Sequence, residues 1–147
     1  MKVLLIGGTG FVGSYLYKHL VKNHEVKITS RSLNNSDFVF FAEKDELLQV
    51  VKEKFDFIIN NINPDGLSNE NLESSIKSIS NYCNKYSSNL IQISSIFAST
   101  YNRKQNDYSF KKGLSEDVIV NNMAAEKYAI LRFPQLFDYH GKARKTQ

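Results

Sequence analysis

The chain has 147 residues, of which 41% are apolar and 23% charged, and a net charge of +4, the size and balance of a single hydrophobic core with no second domain. One cysteine, Cys83, excludes an intrachain disulfide, and the histidines at 19, 24 and 140 lack metal-ligand spacing, so no metal site is expected. Basic residues are scattered except for Lys142-Ala-Arg-Lys145, which reads as a solvated tail, so no nucleic-acid partner is expected; the longest apolar stretches are strand-sized, which gives no membrane partner either.

Met1-Lys-Val-Leu-Leu-Ile6 is a buried strand that runs straight into Gly7-Gly8-Thr9-Gly10-Phe11-Val12-Gly13. Helical periodicity follows, with Phe11, Tyr15, Leu16 and Leu20 on one face, and then a second strand, Glu25-Val-Lys-Ile-Thr29. Phe38-Val-Phe-Phe41 is a short buried run. Glu43 to Lys54 reads as a helix with Leu47, Leu48, Val50 and Val51 inward, and Phe55-Asp-Phe-Ile-Ile59 as a strand. Asn60-Asn-Ile-Asn-Pro-Asp-Gly66 turns the chain into a long helix with Ser68 as N-cap and Leu72, Ile76, Ile79 and Tyr86 at helical spacing. The strand Asn89-Leu-Ile-Gln-Ile93, a helix from about Tyr108 to Asn121 and a strand Tyr128-Ala-Ile-Leu-Arg-Phe133 complete the series. Strands alternating with helices give an α/β fold, a doubly wound parallel sheet of the Rossmann arrangement with three αβα layers. Met1-Lys2-Val3 leads into glycines and not into a signal-peptide cleavage site, from which a cytoplasmic location is expected.

A glycine-rich turn between a strand and a helix lets the backbone approach a pyrophosphate and sets the anion on the N–H groups and positive end of the helix. Gly8-x-Gly10-x-x-Gly13 meets the general dinucleotide fingerprint, and Gly7-x-x-Gly10-x-x-Gly13 is the spacing of the short-chain dehydrogenase/reductase superfamily. The GGTGFVG stretch most resembles the extended branch of that superfamily, the NAD-dependent epimerase/dehydratase proteins. Gly7, Thr9, Gly10, Phe11, Val12 and Gly13 are therefore the expected cofactor-binding turn.

An NAD site carries an acidic residue about 20 positions past the glycines for the ribose 2′-hydroxyl, whereas an NADP site has a small residue and an arginine there. This chain reads Thr29-Ser30-Arg31-Ser32, so Ser30 and Arg31 are expected to face a 2′-phosphate and NADP is favoured over NAD. Asn60 and Asn61, after the strand that ends at Ile59, can offer amide groups to the cofactor ribose, with tight-turn chemistry as the plainer reading; Asn61 is kept as a cofactor residue.

Ligands of such a sheet lie outside the carboxyl ends of the strands. After Ile93 comes Ser94-Ser95-Ile-Phe, which resembles the place where the family keeps its catalytic Ser or Thr, and Tyr108-Ser-Phe-Lys-Lys112 supplies the family's Tyr-x-x-x-Lys pair, with Glu116 one turn further on. Residues four apart share a helical face, so the Lys112 ammonium is expected to favour the Tyr108 phenolate. The resemblance implies that Ser95 hydrogen-bonds the substrate oxygen, that Tyr108 shuttles its proton, and that Lys112 also holds the nicotinamide ribose while hydride moves between substrate and nicotinamide.

A competing register aligns Ala124-Ala-Glu-Lys127 with the stretch that follows the Tyr-Lys pair in relatives, which places Val118 and Asn122 at the catalytic positions and leaves a dead site. Only two residues would then separate Lys127 from the strand at Ile130, too few for the usual helix, so the Tyr108 register is preferred. Asn71, near a position where many relatives keep a relay asparagine, and Arg132, resembling the family's strand-end arginine, each have a purely structural alternative.

The resemblance covers nearly all of residues 1–147 but only the cofactor half of the family's architecture, with the substrate lobe absent or truncated; relatives also have a longer loop between the serine and tyrosine. It implies an NAD(P)-dependent oxidoreductase, epimerase/dehydratase-like, acting on a nucleotide-sugar or related carbonyl substrate, and leaves a homodimer open. The rival class is a catalytically silent NADP-binding sensor or regulatory module. A purely structural Rossmann unit is the third.

Overall fold

The computed structural model describes residues 1–99 and 102–134. In chain order the elements are β1 (Lys2–Ile6), α1 (Phe11–Leu20), β2 (Glu25–Ser30), β3 (Phe38–Val39), α2 (Leu47–Val50), β4 (Phe57–Asn60), α3 (Asn69–Tyr86), β5 (Asn89–Ser95), α4 (Asp107–Asn122) and β6 (Tyr128–Phe133). The six strands form one parallel sheet in the order β3-β2-β1-β4-β5-β6. The strand order reverses direction between β1 and β4, which opens a crevice at their carboxyl ends and makes this the doubly wound arrangement read from the sequence.

Alternation along β1 decides what each layer is made of. Leu4 and Ile6 face one side, where they pack with Ile58 and Leu90 against Leu47 of α2, Leu72, Ile76 and Ile79 of α3, and Val118 and Ile119 of α4. Val3 and Leu5 face the other side with Ile28, Ile59 and Ile93, covered by Leu16 and Leu20 of α1. Each fully buried Leu or Ile in these layers contributes about 1.5–3 kcal/mol relative to an exposed one. On the α1 side the cover thins at β6, where Phe133 is partly buried against this layer and Leu131 remains 42% exposed. Tyr15, expected inward, is 48% exposed and packs edge-on against Phe11 at 5.5 Å between centroids.

The helix expected over residues 43–54 reduces to Leu47–Val50. Upstream, Asp45 accepts a hydrogen bond from the Phe41 N–H, while the N–H groups of Lys44 and Asp45 close a turn onto the Phe41 carbonyl. The buried N–H of Leu47 donates to Ser78 Oγ of α3, and Val51 is extended at φ −112, ψ 109. A tertiary cap and a local carboxylate turn thus replace the helical bonds that periodicity alone implied. Of Phe38 to Phe41, only Phe40 is buried.

α3 begins as expected, with Ser68 Oγ accepting from the Asn71 N–H, and ends on Ser87 in the left-handed region at φ 55. β5 runs two residues beyond Ile93, because Ser94 and Ser95 pair with Arg132 and Phe133 of β6. α4 carries Tyr108 and Lys112 in its first half, while Val118, from the competing register, lies in the hydrophobic core.

Candidate functional site

The turn after β1 holds four glycines, and Gly7, Gly13 and Gly10 have different reasons for being glycine, while a Cβ on Gly8 would lie 2.7 Å from the Ile28 side chain. Gly7 has φ +76, and a Cβ there would lie 2.7 Å from the Asn61 carbonyl oxygen. A Cβ on Gly13 would lie 2.2 Å from the Gly7 carbonyl oxygen, so helix and turn meet only because it is absent. Gly10 is different. Its φ −74, ψ 175 suits any residue, and its nearest neighbour to a Cβ, the Gly7 oxygen at 3.5 Å, is an ordinary contact. Neither backbone strain nor packing within the chain requires glycine at this exposed position; open space is what it leaves.

Gly10 is the N-cap of α1, and Ser14 N–H donates to its carbonyl at 2.8 Å. The first-turn amides of Phe11, Val12 and Gly13 are the groups a helix leaves without intrahelical acceptors, at the positive end of the helix dipole. Thr9 is exposed and Phe11 and Val12 are partly buried. Beside this turn an open groove is lined by Gly8, Thr9, Ser14, Tyr17, Ile28 and Asn35. Ser14, Tyr17 and Asn35 were not singled out by the motif. Tyr17 and Ser14 lie three residues apart on α1, a helical-face spacing that signals a shared surface, whereas Asn35 arrives through the loop after β2 and has no such signature.

At the end of β2, Ser30 is turned to local work: its hydroxyl donates to the Ser32 carbonyl at 2.7 Å and accepts from the Ser32 N–H at 3.0 Å. Arg31 between them is exposed. After β4, Asn60 is fully buried and its amide donates to Gln92 Oε1 at 2.8 Å, while its Oδ1 accepts from Ile62 N–H. Asn61 instead meets the glycine turn, its N–H donating to the Ile6 carbonyl at 3.0 Å and its side-chain amide to the Gly7 carbonyl at 3.4 Å. The two asparagines therefore separate into a core residue and one that borders the crevice.

Ser95 closes β5 and caps the short 3-10 turn Ile96–Ala98, its Oγ accepting from the Phe97 N–H at 3.2 Å. An oxygen used as acceptor in this way keeps its proton for donation. Asn106 caps α4 through the Ser109 N–H, and Tyr108 follows in the first turn, partly buried. Lys112 is 6% exposed, its ammonium 5.8 Å from the centroid of the Tyr108 ring and donating to the Ile93 carbonyl at 3.2 Å. One helical turn and one strand end are thereby joined: Lys112 touches the backbone two residues before Ser95 and overlies Tyr108. Asn71 is exposed in the first turn of α3. Arg132 pairs with the buried Glu116, which also accepts from Ser94 Oγ, so this arginine braces α4 against β5 and β6.

A parallel sheet of this order, with a glycine turn at its first carboxyl end and a Ser, Tyr and Lys around its fifth, defines a Rossmann-fold protein of the nicotinamide-dinucleotide class. The profile of the NAD dependent epimerase/dehydratase family matches residues 3–145, and the chain belongs to that family. Its fold is shared with UDP-N-acetylglucosamine 4-epimerase from Bacillus cereus (TM-score 0.72, 18% identity, covering 94% of this chain and 55% of that one). Similar values hold for dTDP-4-dehydrorhamnose reductase from Yersinia enterocolitica (0.71, 18%, 91% and 52%) and vestitone reductase from alfalfa (0.69, 20%, 89% and 56%). The chain thus spans about half the length of these solved structures. Comparison with curated proteins gives no match. Among the described residues no helix is long and apolar enough to cross a membrane.

Proposed function

We propose that this chain binds a nicotinamide dinucleotide, NADP in preference to NAD, and takes part in hydride transfer at a carbonyl or hydroxyl carbon of a nucleotide-sugar. The observation that carries the cofactor half of this reading is Gly10, an exposed residue whose missing side chain serves no contact within the protein and leaves the first-turn amides of α1 open to a pyrophosphate. Thr9, Phe11, Val12 and Gly13 form the rest of that cradle, Asn61 borders it, and Arg31 offers a guanidinium fork to the 2′-phosphate. Ser30 contributes by holding the Arg31 loop through its two bonds to Ser32.

The bound nicotinamide ring supplies the hydride donor or acceptor. Ser95 keeps its proton and donates a hydrogen bond to the substrate oxygen, and Tyr108 gives that oxygen a proton or takes one from it. Lys112 supplies positive charge beside the Tyr108 ring and, as in relatives with this motif, holds the nicotinamide ribose. Sugar-nucleotide substrates are named for the Bacillus and Yersinia structures. The same chemistry is proposed here, in a cytoplasmic protein that can pair as a homodimer.

The test is calorimetric titration of the wild type and Gly10→Val with NADPH and NADH. Valine at an N-cap costs about 1 kcal/mol of helix stability but fits the extended backbone of this position, so the variant folds and loses dinucleotide binding. Equal NADPH affinity in the two proteins overturns the site.

A further inference from the structure

Arg103 stands between two parts of the proposed site and touches both. It follows the 3-10 turn that Ser95 caps; its backbone N–H donates to the Ser99 carbonyl at 3.1 Å and its Nε–H to the Ala98 carbonyl at 2.9 Å. Its terminal nitrogens donate in parallel to the two carboxylate oxygens of Asp117 on α4, at 2.6 and 3.0 Å. The stem lies flat on Gly113. A Cβ at that position would fall 2.1 Å from Nε and 2.6 Å from Cδ and Cζ. Glycine is a poor residue for a helix interior, and at Gly113 the space it frees is filled by this one guanidinium.

Gly113 is the residue after Lys112, and Asp117 lies one turn beyond it. The planar fork therefore fixes three points at once: the turn that leaves Ser95, the helix backbone beside Lys112, and the next turn of that helix. Exposed ion pairs ordinarily contribute little because their side chains are free to move, but a bidentate pair with a third bond on the same guanidinium and a stem seated in a fitted gap has little freedom left.

We propose that Arg103 is a positioning residue of the site: by bridging Ala98 to Asp117 across Gly113, it sets the end of β5 that bears Ser95 against the helix that bears Tyr108 and Lys112. The inference rests on the reading that Ser95, Tyr108 and Lys112 act together. The bridge ties Ala98, just after β5, to Gly113 and Asp117 of α4.

Arg103→Ala, Arg103→Lys, Gly113→Ala and the control Lys77→Ala, which removes the exposed Lys77–Glu73 pair on α3, are compared with the wild type. One readout needs no substrate: amide exchange at Phe97, whose N–H is held by Ser95 Oγ. The other is NADPH-dependent reduction of dTDP-4-dehydrorhamnose, read as kcat, KM and NADPH affinity. Arg103→Ala and Gly113→Ala are expected to speed Phe97 exchange and lower kcat, each about tenfold or more, with NADPH affinity within about twofold, because small misplacements of reacting groups cost rate before they cost binding. Arg103→Lys does not rescue, since one ammonium cannot make three planar bonds, and Lys77→Ala behaves as wild type. Gly113→Ala raises helix propensity, so a purely structural role would leave its kcat unchanged or improved. Wild-type exchange at Phe97 in both Arg103→Ala and Gly113→Ala overturns the proposal whatever the turnover. Absence of wild-type turnover, with the exchange difference present, counts against this sugar nucleotide as the substrate and leaves the bridge standing.

Discussion

Glu116 of α4 and Arg132 of β6 form a bidentate pair, with Arg132 Nε and Nη2 donating to Oε1 and Oε2 at 2.9 and 2.5 Å while Ser94 Oγ donates to the same Oε1 at 2.6 Å. Glu116 is 3% exposed, so its charge is held in the interior by these partners, and the carboxylate in turn keeps the Arg132 guanidinium protonated to a higher pH than usual. The helix that carries Tyr108 and Lys112 is thereby fastened to the last two strands of the sheet.

Removing Arg132 leaves a buried carboxylate with one neutral donor. A fully buried pair broken in this way costs about 3–5 kcal/mol, and because the Arg132 side chain is 46% exposed the expected loss for Arg132→Met is nearer about 2 kcal/mol. Glu116→Gln, which keeps acceptor and shape without the charge, should lose less. Urea unfolding midpoints measure both, and an unchanged midpoint for Arg132→Met would show that solvent replaces the pair without penalty.

Tyr108→Phe removes the proposed proton donor and keeps the ring. In a protein that includes any substrate lobe, turnover should fall at least about 100-fold, the usual scale of general acid–base catalysis, with cofactor affinity nearly unchanged. Lys112→Ala should reduce both turnover and affinity, because that lysine has a second task at the nicotinamide ribose. Hydride transfer that survives Tyr108→Phe intact would replace the enzyme reading with that of a silent NADP-binding module.

Arg31 is exposed, so its replacement should leave the fold alone and report on the ligand. A charge-assisted contact contributes about 1.5–3 kcal/mol, and Arg31→Ala is therefore expected to weaken NADPH binding about 10- to 100-fold while NADH changes little. Calorimetry with the two cofactors measures the ratio. Wild-type protein that binds NADH as tightly as NADPH contradicts the proposed preference.

Cys83 is 1% exposed in the last turn of α3, and burial pushes its thiol up to about 12. The thiolate is the reactive form, so at pH 8 a disulfide reagent should titrate no thiol in the folded protein and one after unfolding. Reaction at a free-cysteine rate under native conditions would mean that α3 opens readily from the sheet.

Elements whose signals are local were legible in the amino-acid sequence. Val3 to Ile6 of β1 form a continuous apolar run, the glycine turn carries its own spacing, and α3 declares its start with a Ser68 cap that the fold uses. The identity of Tyr108 and Lys112 as neighbours also followed from sequence, because a four-residue spacing on a helix is itself a geometry. Other features depend on groups far apart in the chain and emerge only on folding. α2 is short because Ser78, 31 residues away, takes the N–H of Leu47. Ser94 and Ser95 look alike in sequence, yet alternation along β5 sends the first to Glu116 while the second caps the turn beyond the strand. Gly10 and Gly113 likewise look like any glycines until space is considered: one borders emptiness and the other a guanidinium. Hydrogen-bond periodicity is written locally, but the volume around a residue is set by chains that arrive from elsewhere, and that volume exists only once the sheet has assembled.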